Sequence, residues 1–394
     1  MTTRVGVFGL LGSGNLGNDG SLEAVLGFLR AEHPDAVVTA FCGGPDVVST
    51  RYGIPAVRLN WYSDEYRTAA GPRAIATKAL GKFVDVVRTA RWVRRQHVVI
   101  VPGMGVLEAT LPLRPWGFPY ALFLLSLLGR LFGTKVALVS VGADRITMPA
   151  TRFLVRQAAQ LAAYRSYRDE LSRSAMAGMG VRTAGDGVYP DLAFALPTPT
   201  AEENPRAVGV GVMAYRGGNE DRAQGEEIYR SYVDSLTRFV RYLVERERPV
   251  RLFIGDQADL AVVEEIVADV GSPLITAAPP SSLGELMTAM AGVGSVVATR
   301  YHNVLCALKA GKPTVAIGYA KKNDVLMAEM GLGEFCQEAR SVDVTRLIAQ
   351  FEELESRAPE LKAKLDERNE DNKQRLKSQF AVLSSTLFPV SEAR

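Results

Sequence analysis

Arg300 and His302 are the side chains of this 394-residue chain whose types and spacing point most directly to chemistry. An arginine presents a rigid fork of donors suited to a carboxylate or phosphate, and an imidazole exchanges protons near neutral pH. Two residues apart, they read either as an anion clamp beside an acid or base, or as a plain cap for the helix that follows. The other two histidines lack such company: His33 precedes Pro34 in a polar loop, and His97 opens an apolar strand. The flanking residues say how the pair is positioned. The β-branched run from Val296 to Thr299 suits a buried strand, Gly311 and Pro313 stop a short helix, and Thr314 to Ile317 form a second strand that leads to Tyr319. Arg300 and His302 therefore sit at the C-terminal end of a strand and at a helix start, the edge where ligands bind in open α/β sheets.

A second stretch of interest follows the first strand, Arg4 to Gly9, and precedes a helix expected from about Ser21 to Glu32. It reads Leu10-Leu-Gly12-Ser-Gly14-Asn15-Leu-Gly17-Asn18-Asp19-Gly20. Glycines let backbone approach a ligand closely, and amides at a helix start attract anions, so this is either an anion cradle or a glycine-rich turn without a ligand. The spacing Gly12-x-Gly14-x-x-Gly17 also matches a dinucleotide fingerprint, but its first glycine comes late after the strand. The next strand ends in Cys42-Gly-Gly rather than an acid. No Lys-Ser or Lys-Thr follows the glycines, which excludes a P-loop.

After Arg300-Tyr-His302 come a helix of small residues, Gly311-Lys-Pro313, an apolar strand and Tyr319-x-x-Lys322. Earlier in the chain stand a Gly103-Met104-Gly105 turn, Arg168-Asp-Glu-Leu-Ser172 and Pro190-Asp-Leu-Ala-Phe194. Together with the glycine- and asparagine-rich first loop, this order resembles the polysaccharide pyruvyl transferase family from residue 5 to about residue 333. The resemblance implies an α/β fold of two Rossmann-like lobes with a central cleft, similar to the GT-B glycosyltransferases. It also implies transfer of a pyruvyl group from phosphoenolpyruvate to sugar hydroxyls as a ketal. On that reading His302 is the acid and base. Arg300 and Lys322 hold the donor, helped by Arg168 and by Gly12, Gly14, Asn15, Gly17 and Asp19 of the first loop. The implied acceptor is a saccharide or a lipid-linked saccharide, and phosphoenolpyruvate is a co-substrate, with no cofactor or metal expected.

Two positions depart from the family pattern. Where the family reads Asn-x-Gly-Asp, Asn18 takes the place of the aspartate and Asp19 comes one residue late; Met104 replaces the middle of three glycines. A GT-B glycosyltransferase using a nucleotide sugar, or a non-catalytic module of a polysaccharide assembly complex, are the alternatives.

The length calls for two domains, and 47% hydrophobic with 23% charged residues is the composition of a globular protein. A formal charge of +3 leaves no strong nucleic-acid footprint. Cys42, Cys306 and Cys336 are too few and too far apart for a disulfide framework or zinc pattern. The start lacks the charged leader, apolar core and cleavage site of a secretory signal, and a cytoplasmic location is the expectation. The expected division is an N-terminal Rossmann-like domain over 1–197, a linker over 198–205, a C-terminal Rossmann-like domain over 206–345, and a terminal helical segment over 346–394 that can cross back to the first lobe. Residues 62–73 and the segment through Pro112, Pro115 and Pro119 read as irregular. Between them, a helix from about Ala74 to Arg95 is expected to turn Leu80, Phe83, Val84, Val87 and Ala90 inward. Its basic outer face, with Lys78, Lys82, Arg88, Arg91, Arg94 and Arg95, suits a peripheral contact with an anionic membrane or plain solvation.

Overall fold

A computed structural model describes residues 2–62, 72–108, 115–277 and 279–388. The irregular stretch expected at 62–73 thus lies mostly outside the described residues, as does 109–114 of the proline-bearing segment. The chain forms two compact units: Met1–Ser13, Ser21–Leu192 and Arg375–Arg394 make the first, and Gly14–Gly20 with Ala193–Gln374 make the second.

The first unit is built on seven strands, β1 (Arg4–Gly9), β2 (Val37–Cys42), β3 (Ala56–Arg58), β4 (Val98–Pro102), β5 (Lys135–Val141), β6 (Tyr164–Tyr167) and β7 (Gly187–Val188), in the order β3-β2-β1-β4-β5-β6-β7. Every pairing is parallel. Parallel sheets need helices on both faces, which is why β4 reads as an unbroken apolar run and is buried along its length. The second unit repeats the plan with β8 (Asn204–Gly211), β9 (Val250–Phe253), β10 (Ile275–Ala277), β11 (Val293–Ala298), β12 (Thr314–Gly318) and β13 (Cys336–Glu338), all parallel in the order β10-β9-β8-β11-β12-β13. In this sheet the order reverses between β8 and β11. Arg300 stands two residues past β11, so the signature turn stands at the topological switch point, where crossovers leave in opposite directions and open a crevice.

The terminal helix Ala358–Leu387 contributes residues to both units, the change falling between Gln374 and Arg375. In the first unit its Gln379 is fully buried and donates to Ser140 Oγ at 2.9 Å and Ser166 Oγ at 2.8 Å, while Phe380 stacks on Phe28 with ring centroids 4.7 Å apart.

The helix Pro72–Val93 corrects the sequence reading of its inner face. Trp92 sets the phase: its ring packs on Phe41 and fills the space that Gly6 leaves open. Counting back from Trp92 by helical turns brings Thr89, Asp85 and Gly81 inward, and these are buried, whereas Leu80, Phe83 and Val87 are exposed. The inward carboxylate of Asp85 accepts the Trp61 amide at 2.8 Å and Arg88 at 3.2 Å, so the polar inner side is partnered.

Met104 has the left-handed φ of 61°, a conformation that favours glycine. Its side chain is buried, with the thioether end lying in the space over Gly9. Relief of left-handed strain in Met104→Gly is worth about 1–2 kcal/mol, whereas loss of a buried methionine side chain costs about 2–5 kcal/mol. Met104→Gly should therefore destabilise the protein by roughly 1–3 kcal/mol, read as a lower midpoint in denaturant unfolding.

Candidate active site

The turn after β11 is held from below before any functional side chain is placed. Thr299 Oγ1 lies 2.6 Å from the hydroxyl of Tyr232, and the Thr299 carbonyl accepts Asn323 Nδ2 at 3.1 Å. Tyr232 is buried, and burial raises its phenol well above the usual range, so it serves as a neutral partner. Arg300 comes next, in extended conformation, as the N-cap of the helix Tyr301–Lys309.

Arg300 is tied down by a residue that the sequence reading missed. Its Nε donates to Asp259 Oδ2 at 2.9 Å and its Nη2 to Asp259 Oδ1 at 2.6 Å. Asp259 has no solvent exposure and also accepts the amides of Ala214 at 2.9 Å, Asp256 at 3.2 Å and Gly255 at 3.4 Å. Burial works against the charge on Arg300, yet the bonds and charge of Asp259 outweigh it and push the guanidinium further above its ordinary pKa. The side chain remains 21% exposed, and Nη1 lies outside the bridge. One edge of the fork is thus anchored by a bidentate pair.

His302 is half-buried, with its ring edge-on to Tyr301 at 5.2 Å. The imidazole lies directly on Gly17: a Cβ built there would fall inside the van der Waals envelope of Cε1 and Nδ1. Glycine at that position makes room for this ring. The segment carrying Gly17 is fixed by Asn15, whose Oδ1 accepts the amides of Gly17 at 3.1 Å and Asn18 at 3.3 Å. With Asn15 ahead of it the helix begins at Leu16, earlier than the Ser21 expected, and runs to Glu32. Asn15 also pairs its backbone with Asp256 in an antiparallel bridge. Gly14, at φ 92°, supplies the turn before it. Asp19 is buried in the first helical turn, one residue past the half-buried Asn18.

Lys322 completes the group. It is half-buried, and its Nζ lies 5.2 Å from the ring centroid of Tyr319 and 5.8 Å from that of Tyr301, the residue beside His302. Gly14, Asn15, Gly17, Asp19, Arg300, His302 and Lys322 all belong to the second unit. Beneath them Asn303 is fully buried against Gly211 and Gly255, with neither side-chain polar atom hydrogen-bonded within the described residues.

Two of the expected site residues belong to the first unit. Gly12 belongs to the first unit, where it packs against the backbone of Gly44 so closely that neither position admits a Cβ. Arg168, also of the first unit, is buried in a cluster of carboxylates, bridging to Glu108, to Asp169 at 3.4 Å and to Asp191 at 3.9 Å. Asp169 caps the following helix, accepting the Ser172 amide at 2.6 Å. Nothing local pointed to Asp259, because the Arg300 partnership joins residues too far apart for any local pattern.

If the imidazole is positioned by the bare backbone of Gly17, Gly17→Ala should displace it. Overpacking of this kind costs about 1–3 kcal/mol. We expect a lowered unfolding midpoint together with a shifted His302 ring resonance in NMR, and an unchanged resonance would show that the ring is held by other contacts.

A family model described as polysaccharide pyruvyl transferase matches residues 15–321 of the chain. No curated protein sequence matches it. Among solved structures, a putative UDP-N-acetylglucosamine 2-epimerase from Listeria monocytogenes superposes with a TM-score of 0.65 at 12% identity, covering 100% of this chain and 99% of its own. UDP-GlcNAc 2-epimerase from Neisseria meningitidis, bound to UDP-GlcNAc, gives 0.61 at 12% identity over 98% and 99% of the two chains. HepE from Anabaena, in complex with UDP-glucose, gives 0.57 at 13% identity over 96% and 100%. These likenesses are of fold: two Rossmann-like α/β units of the GT-B type.

Proposed function

The chain belongs to the polysaccharide pyruvyl transferase family, and from that membership we propose that it transfers the pyruvyl group of phosphoenolpyruvate to two hydroxyls of a saccharide, forming a ketal. The observation that supports the reading is an anchored guanidinium at the switch point of the second sheet, with a half-buried imidazole two residues on and the Lys322 ammonium near the ring of Tyr301. Phosphoenolpyruvate is a small polyanion, and Arg300 through Nη1 together with Lys322 supply complementary charge for its carboxylate and phosphate.

The chemistry asked of His302 follows from the reaction. A proton must reach the terminal methylene of the donor, which turns the central carbon into an oxocarbenium electrophile. One sugar hydroxyl adds to that carbon, the C–O bond to phosphate breaks, and the second hydroxyl adds to the carbocation that results. Of the two hydroxyl protons released, one balances the proton placed on the new methyl group and the other leaves with hydrogen phosphate. A single imidazole can give the first proton and take one from an attacking hydroxyl, because its pKa lies near the working pH. Fixing the ring against Gly17 supports this role, since a proton donor misplaced by an ångström loses about 100-fold in rate.

His302→Ala should abolish acceptor-dependent phosphate release from phosphoenolpyruvate while leaving donor binding in place; turnover at the normal rate would remove His302 from the mechanism. A second reading, transfer from a nucleotide sugar, draws on the fold neighbours crystallised with UDP-GlcNAc and UDP-glucose. Thermal unfolding separates the two. A donor present at about 100 times its Kd stabilises by about 2.7 kcal/mol, so phosphoenolpyruvate should raise the melting temperature and UDP-sugars should not. The reverse pattern would favour the nucleotide-sugar reading.

A further inference from the structure

The helix Pro72–Val93 shows solvent the face that a globular helix ordinarily buries. Leu80, Phe83 and Val87 are 56%, 69% and 55% exposed, and their spacing of three and four residues sets them in one stripe. Exposed Ala76 extends that stripe at one end, and exposed Arg91 and Arg94 continue it at the other. Residues 72–95 carry seven arginines and lysines but only one acid, Asp85, which is turned inward. Two of the three tryptophans flank the helix. Trp61, 47% exposed, lies beside Gly81. Trp116, 60% exposed, stands edge-on to Tyr120 at 5.8 Å, and the Nζ of Lys82 lies 5.8 Å from the Tyr120 ring. Lys78 is placed likewise at Tyr62, at 5.8 Å.

We propose that this face docks on the surface of an anionic lipid bilayer, with the helix lying in the plane of the interface. Leu80, Phe83 and Val87 enter the boundary between headgroups and acyl chains. The exposed Arg91, Arg94 and Arg95 of the same helix and its end meet lipid phosphates. The single sign of charge on the outer side of this helix argues for a bilayer over a protein partner, whose rim would present both signs. No described helix is long and apolar enough to cross a membrane, which fits an in-plane contact.

The experiment is co-sedimentation of the protein with phosphatidylcholine vesicles, with and without phosphatidylglycerol. Binding is expected only when phosphatidylglycerol is present, and it should weaken as salt rises. Phe83→Glu, and separately the double change Arg91→Glu with Arg94→Glu, should each weaken partitioning by about tenfold or more. These side chains are exposed, so melting temperatures should not change. Absence of binding to anionic vesicles at low salt, or binding equal in the variants, would overturn the proposal. Self-association abolished by Phe83→Glu without any vesicle binding would also overturn it, assigning the face to a second copy of the chain. Vesicle binding reads this face alone, whatever donor the His302 site takes.

Discussion

A carboxylate without solvent access must find a countercharge and donors for its lone pairs, or give up its charge. Asp259 finds them in Arg300, which follows β11, in the amide of Ala214, which follows β8, and in the amides of Gly255 and Asp256, which follow β9. One buried group therefore fastens the C-terminal ends of three neighbouring strands, and the crevice at the switch point inherits its shape from that fastening. The Tyr232 and Asn323 contacts to Thr299 fix the same turn from the other side. A guanidinium held this way loses little freedom when it meets an anion, which is how a binding group is made precise.

Much of the second unit could be read from local pattern. The β-branched runs of β11 and β12 and the Gly311 and Pro313 stop signals are consequences of backbone chemistry within a few residues, and they place Arg300 and His302 at the strand end. The partners of those two residues could not be read in the same way. Asp259 lies 41 positions from Arg300, and Gly17 lies in a different part of the chain from the ring it makes room for. A glycine reserved for a side chain looks, in one dimension, the same as a glycine reserved for a phosphate. That is why Gly12 and Gly17 read as one motif although Gly12 packs against Gly44 and Gly17 against His302.

The helix Pro72–Val93 shows a different limit. Period 3.6 fixes which residues share a face but not which face turns inward, and the apolar face is assumed to do so. Here the phase is set by Trp92 against Phe41 and Gly6, and by the demand of Asp85 for the Trp61 amide. The assumption fails here because Trp92 and Asp85 claim the inner side. An exposed apolar stripe on an otherwise well-packed unit carries more information than a buried one.

The two units treat their strand ends differently. In the first, the candidates for anion contact are satisfied from within: Gly12 is closed by Gly44, the space over Gly9 is filled by Met104, and Arg168 is surrounded by Glu108, Asp169 and Asp191. For Arg168 to take a donor phosphate it would have to leave buried carboxylates behind, and breaking a buried pair costs about 3–5 kcal/mol. At Arg300, Nε and Nη2 satisfy Asp259 while Nη1 stays outside the bridge. Of the two arginines that the family resemblance nominated, Arg168 is enclosed by carboxylates and Arg300 is anchored along one edge only.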